Sequence, residues 1–196
     1  MIFKSNAQFI FHDSRGFESG SEGETDTVKE FLKKRAETTE LAQQLHAVWY
    51  CLSTDTDRPI LAADETFFNE CGMGKVPVIA IFTKFDALIT KAFQEECKVV
   101  PNKRVAFKEA PAKAEKKLKT SFIDPLRKCK YAPVAFVHLK DMQKASSTCA
   151  DLIEKTADAI SDDTLKLLFL SVQQNNVDIC VRWALRTIYR SQKYVS

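Results

Sequence analysis

Apolar residues along the chain fall into two alternating patterns. Short continuous runs occur at Phe9–Phe11, Ala47–Leu52, Val76–Phe82 and Tyr131–Val137, each with the length and composition of a buried strand. Helical spacing fills the gaps between them. Thr27 and Glu30 form a capping box that predicts a helix start, with Val28, Phe31 and Leu32 opening its apolar stripe and Leu41 and Leu45 closing it. Asp64–Cys71 predicts a helix with Phe67 and Phe68 inward, ended by Gly72 and Gly74. Residues 87–97 predict another, and 147–160, 162–173 and 175–191 predict two or three more. The basic stretch from Lys103 to Lys119 predicts an exposed helix plus loop, broken at Pro111.

Strand and helix thus alternate four times, which implies an α/β fold: a three-layer, mostly parallel sheet with helices on both faces. Residues 1–160 would form this domain and 161–196 a helical extension packed on or beside it. The residues 17–24, with two glycines, two serines and three glutamates, predict an acidic loop.

Composition narrows the classes. An apolar share of 45% and 14 Phe supply a real core, while a net charge of +3 argues against a nucleic-acid binder. Six Cys at 51, 71, 97, 129, 149 and 180 show no metal-site spacing and read as reduced, buried thiols. No signal peptide and no apolar run long enough for a bilayer occur in the sequence. The expectation is a cytoplasmic chain. Arg182, Arg186, Arg190 and Lys193 lie on one face of the last helical segment; a solvated face is preferred there over contact with acidic lipid or a partner protein.

Candidate chemistry sits immediately after three of the four runs: Asp13-Ser-Arg-Gly16, Thr83-Lys-Phe-Asp86 and His138-Leu-Lys140. In a parallel sheet the C-terminal strand ends share one edge, so these clusters would converge there. His12, His46 and His138 have no serine or cysteine in a recognisable nucleophile setting, and no catalytic residue is assigned. Arg15 reads as solvent-facing or acid-paired.

The three clusters, in this order at strand ends, resemble the guanine-nucleotide-binding domains of the P-loop GTPases. The resemblance covers about residues 6–160. Trp49-Tyr-Cys51 and Arg58-Pro-Ile60 are similar to the fungal G domain-containing proteins. The resemblance implies that Asp13 and Gly16 match Asp-x-x-Gly, with Asp13 holding Mg²⁺ through water and the Gly16 amide meeting the γ-phosphate. It implies that Thr83, Lys84 and Asp86 match [Asn/Thr]-Lys-x-Asp, which reads guanine. Asp86 would accept from the guanine N1–H and exocyclic amine, and the Lys84 stem would pack along base and ribose. His138, Leu139 and Lys140 stand where the family has Ser-Ala-Lys, whose backbone amide meets the guanine carbonyl. The loop 17–24 would correspond to the second switch. The seventy positions from Asp13 to Thr83 leave room for helix, strand, helix and strand.

One family element does not occur. Gly-x-x-x-x-Gly-Lys-[Ser/Thr] is found nowhere; Gly72-Met-Gly74-Lys75 lacks both the distant glycine and the following hydroxyl. The expectation is therefore a Ras-like domain without its first strands, in a sequence that starts downstream of the phosphate-binding loop, or else direct pairing of the strands near 7–12 and 47–52. The function expected is GTP or GDP binding with Mg²⁺, hydrolysis being expected only of a complete form. The alternative is a catalytically inactive G-like domain serving protein interaction, with an effector or regulator as partner.

Overall fold

A computed structural model of the chain describes residues 2–3, 6–14, 22–38, 40, 43–171 and 181. The organising element is β4 (Val78–Thr83), whose first five residues are all buried. A strand apolar on both faces must be covered on both, so it takes the centre of its sheet. It lies between β3 (Val48–Ser53) and β5 (Ala135–His138), and both pairings are parallel. Val48 aligns with Val78 and Ser53 with Thr83; on the other side Ile79 aligns with Ala135 and Phe82 with His138. The fold is α/β, with a three-stranded all-parallel open sheet.

Alternate residues of the strands enter two different cores. Tyr50, Leu52, Val78, Ala80 and Phe82 face a large cluster with Leu32 of α1 (Glu22–Glu37), Phe67 and Phe68 of α2 (Ala62–Glu70) and Leu88 of α3 (Phe85–Cys97). The small side chains Ala110 and Ala114 of α4 (Lys103–Leu118) pack that helix into the same cluster. Ile79, Ile81 and Val137 point the other way and meet Leu152 of α6 (Ala150–Ala159). Beyond α6, helix α7 (Asp163–Ser171) buries Phe169 against Ile153, Ala157 and Ile160. The Gly72 backbone approaches the Tyr131 ring so closely that a Cβ there would stand 2.9 Å from two ring carbons.

The first apolar run departs from expectation. Residues 9–11 do not extend the parallel sheet; Asn6–Ile10 forms β2, antiparallel to β1 (Ile2–Phe3), with Ile2 opposite Ile10. β3 is consequently an edge strand among the described residues. Among the described residues, the mostly parallel sheet of four strands is corrected to three parallel strands and a separate hairpin, with no direct pairing of β2 with β3. Ile2–Phe3 lies close enough in sequence to Asn6–Ile10 for a short antiparallel hairpin, which meets the backbone groups on one edge of β2 locally.

Other boundaries shift with identifiable causes. Helix α1 starts at Glu22, five residues before the Thr27 box, so part of the expected acidic loop is helical. Pro111 does not break α4, which runs through it. The proline removes one N–H from an exposed turn, while the alanine face keeps its packing. A π-type turn over Lys119–Ile123 follows and leads into α5 (Asp124–Arg127), where Pro125 sits at a helix start. Of the five described cysteines, all free, only Cys71 is buried and Cys51 is exposed. Gly16, Arg15, loop residues 17–21 and the basic segment 182–193 lie outside the described residues.

Candidate functional site

The C-terminal ends of β4 and β5 meet in a loop pair stitched by main-chain hydrogen bonds. The Leu139 amide donates to the Phe82 carbonyl at 2.8 Å, and the Phe85 amide donates to the Leu139 carbonyl at 3.0 Å. These bonds bring Thr83, Lys84 and Asp86 beside His138, Leu139 and Lys140, although 55 positions separate Asp86 from Asp141. The two clusters expected after β4 and β5 do share one rim.

Lys84 connects β4 to α3 in the left-handed conformation, φ 55° and ψ 37°. A non-glycine residue there costs about 1–2 kcal/mol and is held by its surroundings. What holds it is Thr54, just beyond β3 and fully buried: its hydroxyl reaches the Thr83 carbonyl at 3.0 Å and the Lys84 carbonyl at 2.8 Å. The Thr54 amide donates to the Thr83 carbonyl at 3.0 Å, and the Thr83 hydroxyl donates to the Leu52 carbonyl at 3.3 Å. The turn is thereby clamped to β3, with the Lys84 side chain exposed.

Asp86 lies in the first turn of α3, where the helix dipole favours a carboxylate. Its Oδ1 accepts the Asp141 amide at 3.0 Å. Asp141 is the second non-glycine residue with positive φ, at 54°. Its carbonyl accepts the Ser147 hydroxyl at 2.6 Å, and its carboxylate pairs with Lys144 at 2.9 Å. Asp86 is half-buried, and among the described residues no second donor reaches its carboxylate. Lys91, one helical turn further along α3, stands 3.6 Å from both Asp55 and Asp57, adding charge to the same margin.

His138 stacks on Phe85 with ring centroids 4.2 Å apart. Loss of water there pulls its pKa below the usual histidine value; Lys140 and Lys155 act with burial, while Glu115 and Asp151 oppose it. The Leu139 amide is already used in the sheet ladder, so the free donors of this loop lie at Lys140 and beyond.

Asp13 is not part of this cluster. The residue is exposed, and its charge is felt at Cys51, in the middle of β3; desolvation first and Asp13 second raise that thiol's pKa. Its neighbours pack on the same margin: Phe11 lies 5.8 Å from Trp49 and His12 lies 5.1 Å from Phe31, ring to ring. Among the described residues, no group of three His, Cys, Asp or Glu side chains gathers to hold a metal ion. No helix among the described residues is long and apolar enough to cross a membrane.

Two residues that organise the rim, Thr54 and Asp141, carried no signal in the sequence beyond their position after a strand. Their roles depend on contacts across 29 to 55 positions. No family model matches the chain, and no curated protein or solved structure shows significant similarity to it.

Proposed function

We propose that the rim formed by residues 83–86 and 138–141 binds the base of a guanine nucleotide, GTP or GDP. The observation that carries the reading is the Asp86 carboxylate, fixed at the sheet's C-terminal edge by the Asp141 amide and next to a left-handed Lys84. A fixed carboxylate accepts well from the adjacent N1–H and exocyclic amine of guanine. Adenine offers no donor pair in that arrangement, so the wrong base would leave the carboxylate unpaired. The Lys84 stem would cover the base, and an amide near Lys140 would meet the guanine carbonyl. Open α/β sheets commonly take ligands at this edge.

This reading matches the Ras-like expectation on the side of base recognition. The order β3-β4-β5 and the placement of Thr-Lys-x-Asp after β4 agree with it. Phosphate handling by Asp13 and Gly16, Mg²⁺ binding and hydrolysis are proposed only for a form that carries a phosphate-binding loop. The alternative is a G-like interaction module without catalysis.

Nucleotide titration by NMR tests the base-reading proposal. Guanosine nucleotides should shift the amides of Lys84, Asp86, Lys140 and Asp141, whereas adenosine nucleotides should not. Equal shifts with both would reject the reading.

A further inference from the structure

The corner between α3 and α4 combines two features that ordinary solvated surfaces keep apart. Val99, in the connection, is 80% exposed, and Phe107, one turn into α4, is 72% exposed. Phe107 is braced rather than buried: its ring meets Phe93 of α3 edge-on at 6.0 Å. Large side chains so exposed lose favourable burial worth seeking elsewhere.

Cations surround this apolar tip. Lys103 and Arg104 stand four and three positions before Phe107, on its stripe of the helix, and Lys108 follows on the adjoining flank. Lys98 adds a fourth charge from the end of α3. Further along α4, Lys113 and Lys117 pair with Glu96 and Glu95 of α3. Lys103, Arg104 and Lys108 have no ion-pair partner among the described residues. The adjoining stripe of α4, with Ala106, Ala110 and Ala114, is buried, so the helix cannot turn the tip inward. The nearest acids on α4 are Glu109, on another side, and Glu115, two turns away.

We infer that the α3–α4 corner docks on an anionic lipid surface. Phe107 and Val99 enter the headgroup boundary while Lys98, Lys103, Arg104 and Lys108 meet acidic headgroups. A protruding apolar tip ringed by cations suits a deformable anionic interface better than a protein groove, for which it offers no concave seat. The site is separate from the rim and does not depend on the nucleotide proposal.

Sedimentation of the full 196-residue chain with sucrose-loaded vesicles tests this. Vesicles of phosphatidylcholine with about 30 mol% phosphatidylserine should bind the chain, and pure phosphatidylcholine should not. Rising salt should weaken the binding. The triple variant Lys103→Gln, Arg104→Gln, Lys108→Gln should lose about 100-fold in partition coefficient. Phe107→Ser should lose about tenfold or more with an unchanged circular-dichroism melt. Equal binding to both vesicle types, retention by RNA but not by vesicles, or binding that survives both variants and falls only when Arg182, Arg186 and Arg190 are changed would overturn the inference.

Discussion

The rim at the C-terminal ends of the parallel strands and the outer edge of β3 both carry polar residues that follow a strand, but they are built differently. At the first, two left-handed non-glycine residues are held in place by a network joining Thr54, Thr83, Lys84, Asp86, Leu139 and Asp141. At the second, Asp13 is exposed and bears on Cys51 by charge alone among the described contacts, while Phe11 and His12 supply ring packing. Backbone strain held by hydrogen bonds belongs to the rim, and strain of this kind clusters at functional sites in proteins generally, whereas the β3 edge shows ring packing. Base recognition and phosphate handling therefore need not stand or fall together in this chain.

The largest contrast should come from paired carboxylate variants. Asp86→Ala should weaken guanine-nucleotide binding about 100-fold, since hydrogen bonds to a charged group contribute about 1.5–3 kcal/mol each. Asp13→Ala should leave base binding within about twofold. Calorimetric titration of both variants checks this, and equal losses would erase the distinction.

The brace offers a smaller test. Thr54→Val removes the hydroxyl that holds the Lys84 turn in a fully buried place and should cost about 1–3 kcal/mol by urea unfolding. Cys51→Ala, at an exposed position on the same strand, should stay within about 0.5 kcal/mol. A Thr54→Ser variant restores the hydroxyl and should recover most of the loss.

A third test uses pH. Partial loss of water at these surface positions, joined at His12 by the nearby Arg35 charge, holds His12, His46 and His138 below the ordinary histidine value of 6.5. The unfolded chain then binds more protons than the folded one once pH drops toward that value. Stability should be full above about pH 6.5 and decline as pH falls through the lower folded values. His138→Gln should flatten part of the decline in a pH series of thermal melts, and His46→Gln another part. A rise in stability on acidification would contradict the sign.

The smallest effect should lie across the sheet, where the Trp49 indole donates to the Thr156 hydroxyl at 3.1 Å. Trp49→Phe should lower stability by about 1 kcal/mol and leave nucleotide affinity unchanged. A large affinity loss would tie the β3 face to the rim.

These contrasts also separate what is readable from sequence. Val76–Phe82 announced a buried strand because continuous apolarity over that length has few other uses, and the buried β4 agrees. Phe67 and Phe68 read correctly as inward, each 1% exposed. The run Phe9–Phe11 misled because three apolar residues do not specify a partner; a hairpin with Ile2–Phe3 satisfied the backbone locally. Pro111 misled because the alanine face of α4 outweighs one missing hydrogen bond. Thr83, Lys84 and Asp86 were legible as a motif at a strand end. Thr54 and Asp141, which hold that motif, were not, since a side-chain bond to a distant backbone leaves no periodic trace.

The most direct test of base recognition exchanges the hydrogen-bond pattern at one atom. Asp86→Asn replaces one acceptor oxygen by an amine, which suits xanthine, whose C2 carbonyl accepts where the guanine amine donates. In competition titrations the unaltered chain should prefer guanosine over xanthosine diphosphate, and Asp86→Asn should reverse that preference. An unchanged preference in the variant, or no discrimination by the unaltered chain among guanosine, xanthosine and adenosine diphosphates, would contradict the account.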